Sequence, residues 1–107
     1  MADLAQLTGA DFQPHLAEVF RVHAPSIEPI ELELDQVAPL GPRTTAEAEA
    51  AGRRPPFALV FLGPASDQYL AQATYTVAHA QLGELTLFLV PLGPTAERRM
   101  RYEAVFT

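Results

Sequence analysis

The chain has 107 residues, 49% of them hydrophobic and 19% charged, and 13 acidic against 7 basic side chains give a formal charge of -6. That length suits one β-rich domain over residues 1–107 with a single core, and it is too short for a two-domain enzyme with a cleft between its halves. The absence of cysteine removes disulfides, zinc-thiolate sites and thiol nucleophiles, and the acidic balance argues against binding a nucleic-acid backbone.

The first residues carry Asp3 and no basic region of the kind that opens a signal peptide, and no apolar run approaches the ~20 residues needed to cross a bilayer. No membrane insertion is expected, and residence is cytoplasmic by default, or outside the cell through a larger assembly. Residues 4–17 hold the one helical signal, with Thr8 or Asp11 as N-cap and Phe12 and Leu16 four apart on one face. Pro14 keeps this element short, because an unbroken helix through it would lose a hydrogen bond. Its expected role is to cover one end or one open face of a sheet with Leu4, Leu7, Phe12 and Leu16.

From residue 19 the period changes to two. Residues 19–22 read as a short strand, and Pro25 and Pro29 mark the turn after it. Residues 30–35 alternate strictly, with Ile30, Leu32 and Leu34 toward a core and Glu31, Glu33 and Asp35 toward solvent. The alternation slips at Gln36-Val37, where a bulge or strand end would return Val37 to the inside. Residues 39–56 read as a long mobile loop, with prolines and glycines around an Ala/Glu-rich insert that lacks an apolar stripe.

Residues 57–62 form a continuous apolar run closed by Gly63-Pro64, which suits a strand buried on both faces. Residues 73–79 alternate with Tyr75 and Val77 inward, and a short turn through Gly83 makes a hairpin with residues 84–90. There Leu85, Leu87 and Leu89 share one face while Phe88 and Val90 occupy the other. A loop around Gly93-Pro94 leads to residues 100–106, with Tyr102, Ala104 and Phe106 on one face. The fold class is mainly β, a small antiparallel barrel or sandwich of about six strands with a short N-terminal helix. Two strands are apolar on both faces, so something must cover their second side, either the helix or a partner.

Several stretches together are specific: RPPFALVFLGP over 54–64, ATYTV over 73–77 with His79, LGELTLFLVPLG over 82–93 and YEAVF over 102–106. In these the chain resembles an uncharacterised bacterial family of short β-rich proteins, a domain of unknown function. Residues 12–22 fit it more loosely, and the insert at 44–51 lies outside it. Members of that family often carry Gly where Ala17 stands and end in Asn where Thr107 stands. The resemblance implies no catalytic residue, and by association it implies a place beside phage-tail-collar-type fibre proteins.

Chemistry is sparse. Ser26 and Ser66 lie in turns without a nucleophile-elbow pattern, so no catalytic residue is assigned. His15, His23 and His79 lack metal-site spacing, and His79 is placed to bond the backbone of its turn; no metal or cofactor is expected. The Glu31, Glu33 and Asp35 row reads as a solvated, aggregation-resisting face, of the kind that also protects edge strands, and the clusters Arg53-Arg54 and Arg98-Arg99-Met100-Arg101 as solvated charge. The leading expectation is a non-enzymatic domain acting by contact with a protein partner or a second copy, as an accessory or structural component of a tail-fibre-like or other surface assembly. Its candidate contact residues are Arg53, Arg54, Leu62, Phe88 and Val90. The alternative is a small-ligand-binding barrel with its pocket near Tyr69, Tyr75 and Tyr102, and a hydrolase of unknown type ranks last.

Overall fold

A computed structural model describes residues 7–23, 29–39, 56–65 and 70–106. Six strands form an antiparallel closed barrel: β1 (Val19–His23), β2 (Ile30–Pro39), β3 (Phe57–Ala65), β4 (Ala73–His79), β5 (Gly83–Pro94) and β6 (Arg99–Phe106). Their order around the barrel is β1-β2-β3-β6-β5-β4, with β4 returning to β1. The period-2 residues fill the inside: Phe20, Leu32, Leu34, Leu59, Phe61, Val77, Leu85, Leu87, Leu89, Tyr102 and Ala104 are all buried. Closure gives each strand two neighbours, so β2 is paired with both β1 and β3 and its acidic row guards no open edge.

The slip near Gln36 is a bulge: Leu34 pairs with Phe61 and Gln36 with Val60, which leaves Asp35 as the extra residue and turns Val37 toward the core. The β4–β5 hairpin pairs His79 with Gly83, and Gly83 takes φ +79, a left-handed conformation that glycine adopts without strain.

Three boundaries differ from expectation. β2 continues to Pro39, β3 runs through Gly63-Pro64 to Ala65 and β5 runs through Pro91 and Gly93 to Pro94, while the connection to β6 is the turn at residues 95–98. Each extension through β3 and β5 contains a register shift against β6, between Leu62 and Ala65 and between Pro91 and Gly93. At such shifts the ladder does not require every N–H, so proline is tolerated. Arg99 supplies donors beside the β3 shift: its Nε donates to the Gly63 carbonyl at 2.7 Å, and both terminal nitrogens donate to Glu33 Oε1 at 3.3 Å. Arg99 is therefore half-buried and bonded, not solvated charge, and Glu33 of the acidic row is its partner.

The N-terminal segment is shorter than residues 4–17. It comprises α1 (Gly9–Phe12), with Thr8 as N-cap, and a 3-10 turn (Gln13–His15) that takes Pro14 in its first positions. Asp11 Oδ2 accepts from the Thr8 N–H at 2.7 Å and from the Thr8 hydroxyl at 3.2 Å. The segment closes one end of the barrel by inserting Phe12 against Phe57 and Phe106, with centroids 5.8 and 5.5 Å away, while Phe57 stacks on Phe106 at 4.6 Å. Leu16, expected beside Phe12, is instead 39% exposed, because it is already out of helical phase at ψ 140. Leu7 packs against the core, and Leu4 lies outside the described residues. The helix therefore covers an end of the barrel and not the outer faces of β3 and β5. Ala17 follows at φ 69, the left-handed region, which gives a physical reason for glycine at that position.

Candidate functional site

Two places carry groups that barrel closure does not require. The first is assembled by the reversal at Ala17, whose N–H bonds to the Leu34 carbonyl at 2.7 Å while the Glu18 carbonyl accepts from Leu34 N–H at 3.1 Å. This brings Glu18 back under His15 and beside His79, the last residue of β4. One oxygen, Glu18 Oε1, lies 2.8 Å from His15 Nδ1 and 2.7 Å from His79 Nε2, and the two rings meet edge-on at 4.6 Å. Phe20 also packs against His79, tilted by 32° with centroids 4.5 Å apart, and the imidazole is nearly enclosed.

The protons follow from the hairpin turn. His79 Nδ1 accepts from the N–H groups of Gln81 and Leu82, both at 3.1 Å, as the sequence predicts for a histidine at that position. Nδ1 therefore holds a lone pair, and Nε2 carries the hydrogen that His79 donates to Glu18. Hydrogen bonds from His15 first and His79 second hold the Glu18 carboxyl below its ordinary value, against a weaker opposing desolvation.

His15, Glu18 and His79 also offer three ligand atoms within 4.8 Å of one another, a juxtaposition that no spacing in the sequence announces. A cation held by all three would need the lone pair of His79 on Nε2, and hence a hydrogen on Nδ1, where two backbone N–H groups already converge. The donor set fits a hydrogen-bonded strut between the N-terminal segment and the β4–β5 hairpin better than a metal centre. Among the described residues no hydroxyl hydrogen-bonds either imidazole, so the cluster contains no activated nucleophile.

The second place is the outside of β3, β6 and β5. Glu103 pairs with Val60 on one side and Val90 on the other, Arg101 pairs with Leu62 and Gly93, and Val105 pairs with Ala58. Phe88 lies two residues along β5 from Val90 on the same outward face. Phe88 and Val105 are 50% and 52% exposed, and Leu92, at the β5 register shift, is 43% exposed. Three of the predicted contact residues, Leu62, Phe88 and Val90, thus fall in one sector, whereas Arg53 and Arg54 lie outside the described residues. Val105 and Leu92 were missed, although Val105 is the odd position in the same alternation that singles out Phe88.

The tyrosines of the ligand-binding alternative are otherwise engaged. Tyr102 is buried and its hydroxyl accepts from Leu70 N–H at 2.8 Å, Tyr75 donates its hydroxyl to the Ala71 carbonyl at 2.7 Å, and Tyr69 lies outside the described residues. Ser26 and Ser66 also lie outside them. Among the described residues no helix is long and apolar enough to cross a membrane.

No curated protein and no solved structure matches the chain at a significant level. A family model matches residues 7–106, a span that takes in all six strands and the plugging helix, and the chain accordingly belongs to the domain-of-unknown-function family DUF6916.

Proposed function

We propose that this domain works by protein–protein contact through the outward face of β3, β6 and β5 and has no catalytic role. The observation that carries the reading is the half exposure of Phe88 and Val105 on a barrel whose interior is already filled. Among the described residues no second layer lies over that face, and clustered outward apolar groups are the usual mark of an interaction site. The partner class is a structural protein assembly, of the tail-fibre-like or other surface kind, in which this domain is an accessory or structural component. The ligand-binding reading has less support, since the hydroxyls of Tyr75 and Tyr102 are both bonded to the chain's own backbone.

Phe88→Glu and Val105→Glu test the proposal. Both place a charge on a half-exposed site, so circular dichroism should be unchanged, while concentration-dependent association and cross-linked partner recovery from the native host should fall. A wild-type chain that is monomeric at high concentration, with partner recovery unaffected by either substitution, would sink the idea.

A further inference from the structure

Resting on that contact reading, the charge pattern of the face identifies what covers it. Arg101 and Glu103 are two residues apart on β6 and point outward together, about 7 Å apart along the strand. Among the described residues neither makes an ion pair, with the other or with any neighbour. Their lateral neighbours, Val60 and Val90 beside Glu103 and Leu62 and Gly93 beside Arg101, are all uncharged. Covering this face with an apolar surface would strip water from two unpaired charges, which costs more than the apolar burial returns. A complementary surface must therefore present a carboxylate over Arg101 and a cation over Glu103 at the same spacing.

We infer that the surface is a second copy of this chain, stacked face to face with its β6 antiparallel to the first. A two-fold axis in the interface, running across the strands at the level of Tyr102, places Arg101 of each copy over Glu103 of the other. It also keeps each strand over its own equivalent, so Leu62 of one copy meets Val60 of the other and apolar groups flank the charges on both sides. An axis running along the strands would instead set Arg101 against Arg101 and Glu103 against Glu103. The opposite signs at positions 101 and 103 thus select one of the two stackings.

The experiment is sedimentation velocity of the full chain and of Arg101→Glu, Glu103→Arg, the double variant and an equimolar mixture of the two single variants. Each single variant puts like charges at both contacts and should raise the dimer dissociation constant by about tenfold or more. The mixture and the double variant restore opposite charges at both contacts and should return the constant to near the wild-type value. A monomeric wild type overturns the inference, as do single variants that dimerise like the wild type or a mixture that fails to recover. If the wild type is monomeric and yet loses a partner on Phe88→Glu, the second copy is refuted while the contact reading stands.

Discussion

Phe12 decides whether the N-terminal segment is part of the fold or an appendage to it. Its ring is fully buried against Phe57 and Phe106 at the barrel end, so Phe12→Ala removes a complete side chain and opens a cavity among side chains held by their own strands. Substitutions of this kind cost about 3–5 kcal/mol, and full burial with two ring contacts puts Phe12 near the middle of that range, about 4 kcal/mol. With an unfolding entropy of about 0.22 kcal/mol/K for a chain of this length, the midpoint should fall by about 18 °C. Leu16→Ala is the internal control: four residues further on, at 39% exposure, it should cost less than about 1 kcal/mol. Urea unfolding followed by tryptophan-independent far-UV dichroism reads both. Equal losses below about 1 kcal/mol would refute the plug, and a lower denaturant slope for Phe12→Ala would show the segment detaching before the barrel unfolds.

Ala17→Gly should stabilise the protein: relief of the left-handed strain at φ 69 gives about 1–2 kcal/mol, the extra unfolded-state freedom of glycine takes back about 0.5–1, and a net gain of about 0.5–1 kcal/mol is expected in the urea midpoint. Tyr102→Phe leaves the buried Leu70 N–H without its hydroxyl acceptor and should cost about 1–3 kcal/mol, and unchanged stability would mean that this bond carries no weight. Glu18 gives a pH dependence. Because its folded carboxyl titrates below the ordinary value of 4.5, the stabilisation is complete above that value and is lost as pH falls through the lowered one. The Tm difference between wild type and Glu18→Gln should therefore shrink as pH drops below 4.5, and a difference constant from pH 7 to 3 would show that the two histidines do not act through the carboxylate.

Most strands were legible because their alternation lays one face on the barrel interior, β3 was legible as an apolar run between turn residues, and the Asp35 bulge shows as a slip of one residue in the alternation of β2. Strand length was not legible at Gly63-Pro64 or Pro91-Leu92-Gly93-Pro94. A local rule that stops strands at proline and glycine is overridden at Gly63 by Arg99, which comes from a different strand to bond its carbonyl, and in β5 by pairing with β6 that resumes after a register shift. Leu16 failed for a related reason: a four-residue spacing implies a shared helical face only if the helix lasts that long, and the 3-10 turn ends at His15. The cluster of His15, Glu18 and His79 joins residues more than sixty positions apart, and its geometry depends on the reversal at Ala17, which neither histidine's neighbours encode.

The distribution of outward residues around the barrel is the remaining step from fold to function. On β1 and β2 they include Arg21, Glu31, Glu33 and Asp35, and on β4 Thr74 and Thr76, so that half of the wall is mostly polar, with Val19, Ala38 and Ala78 as its apolar positions. On β3, β6 and β5 they include Val60, Leu62, Val105, Phe88 and Val90, with Arg101 and Glu103 among them and the exposed polar Glu84 and Thr86 at the start of β5. Scattered apolar groups on a soluble surface need no explanation, but segregation to three adjacent strands does. The core does not need them, since the inward positions of the same strands already fill the barrel. A strand sequence that alternates on β2 and abandons alternation along β3 and from Phe88 in β5 therefore specifies two apolar faces on those strands, and the outer one is the face that the proposed contact would use.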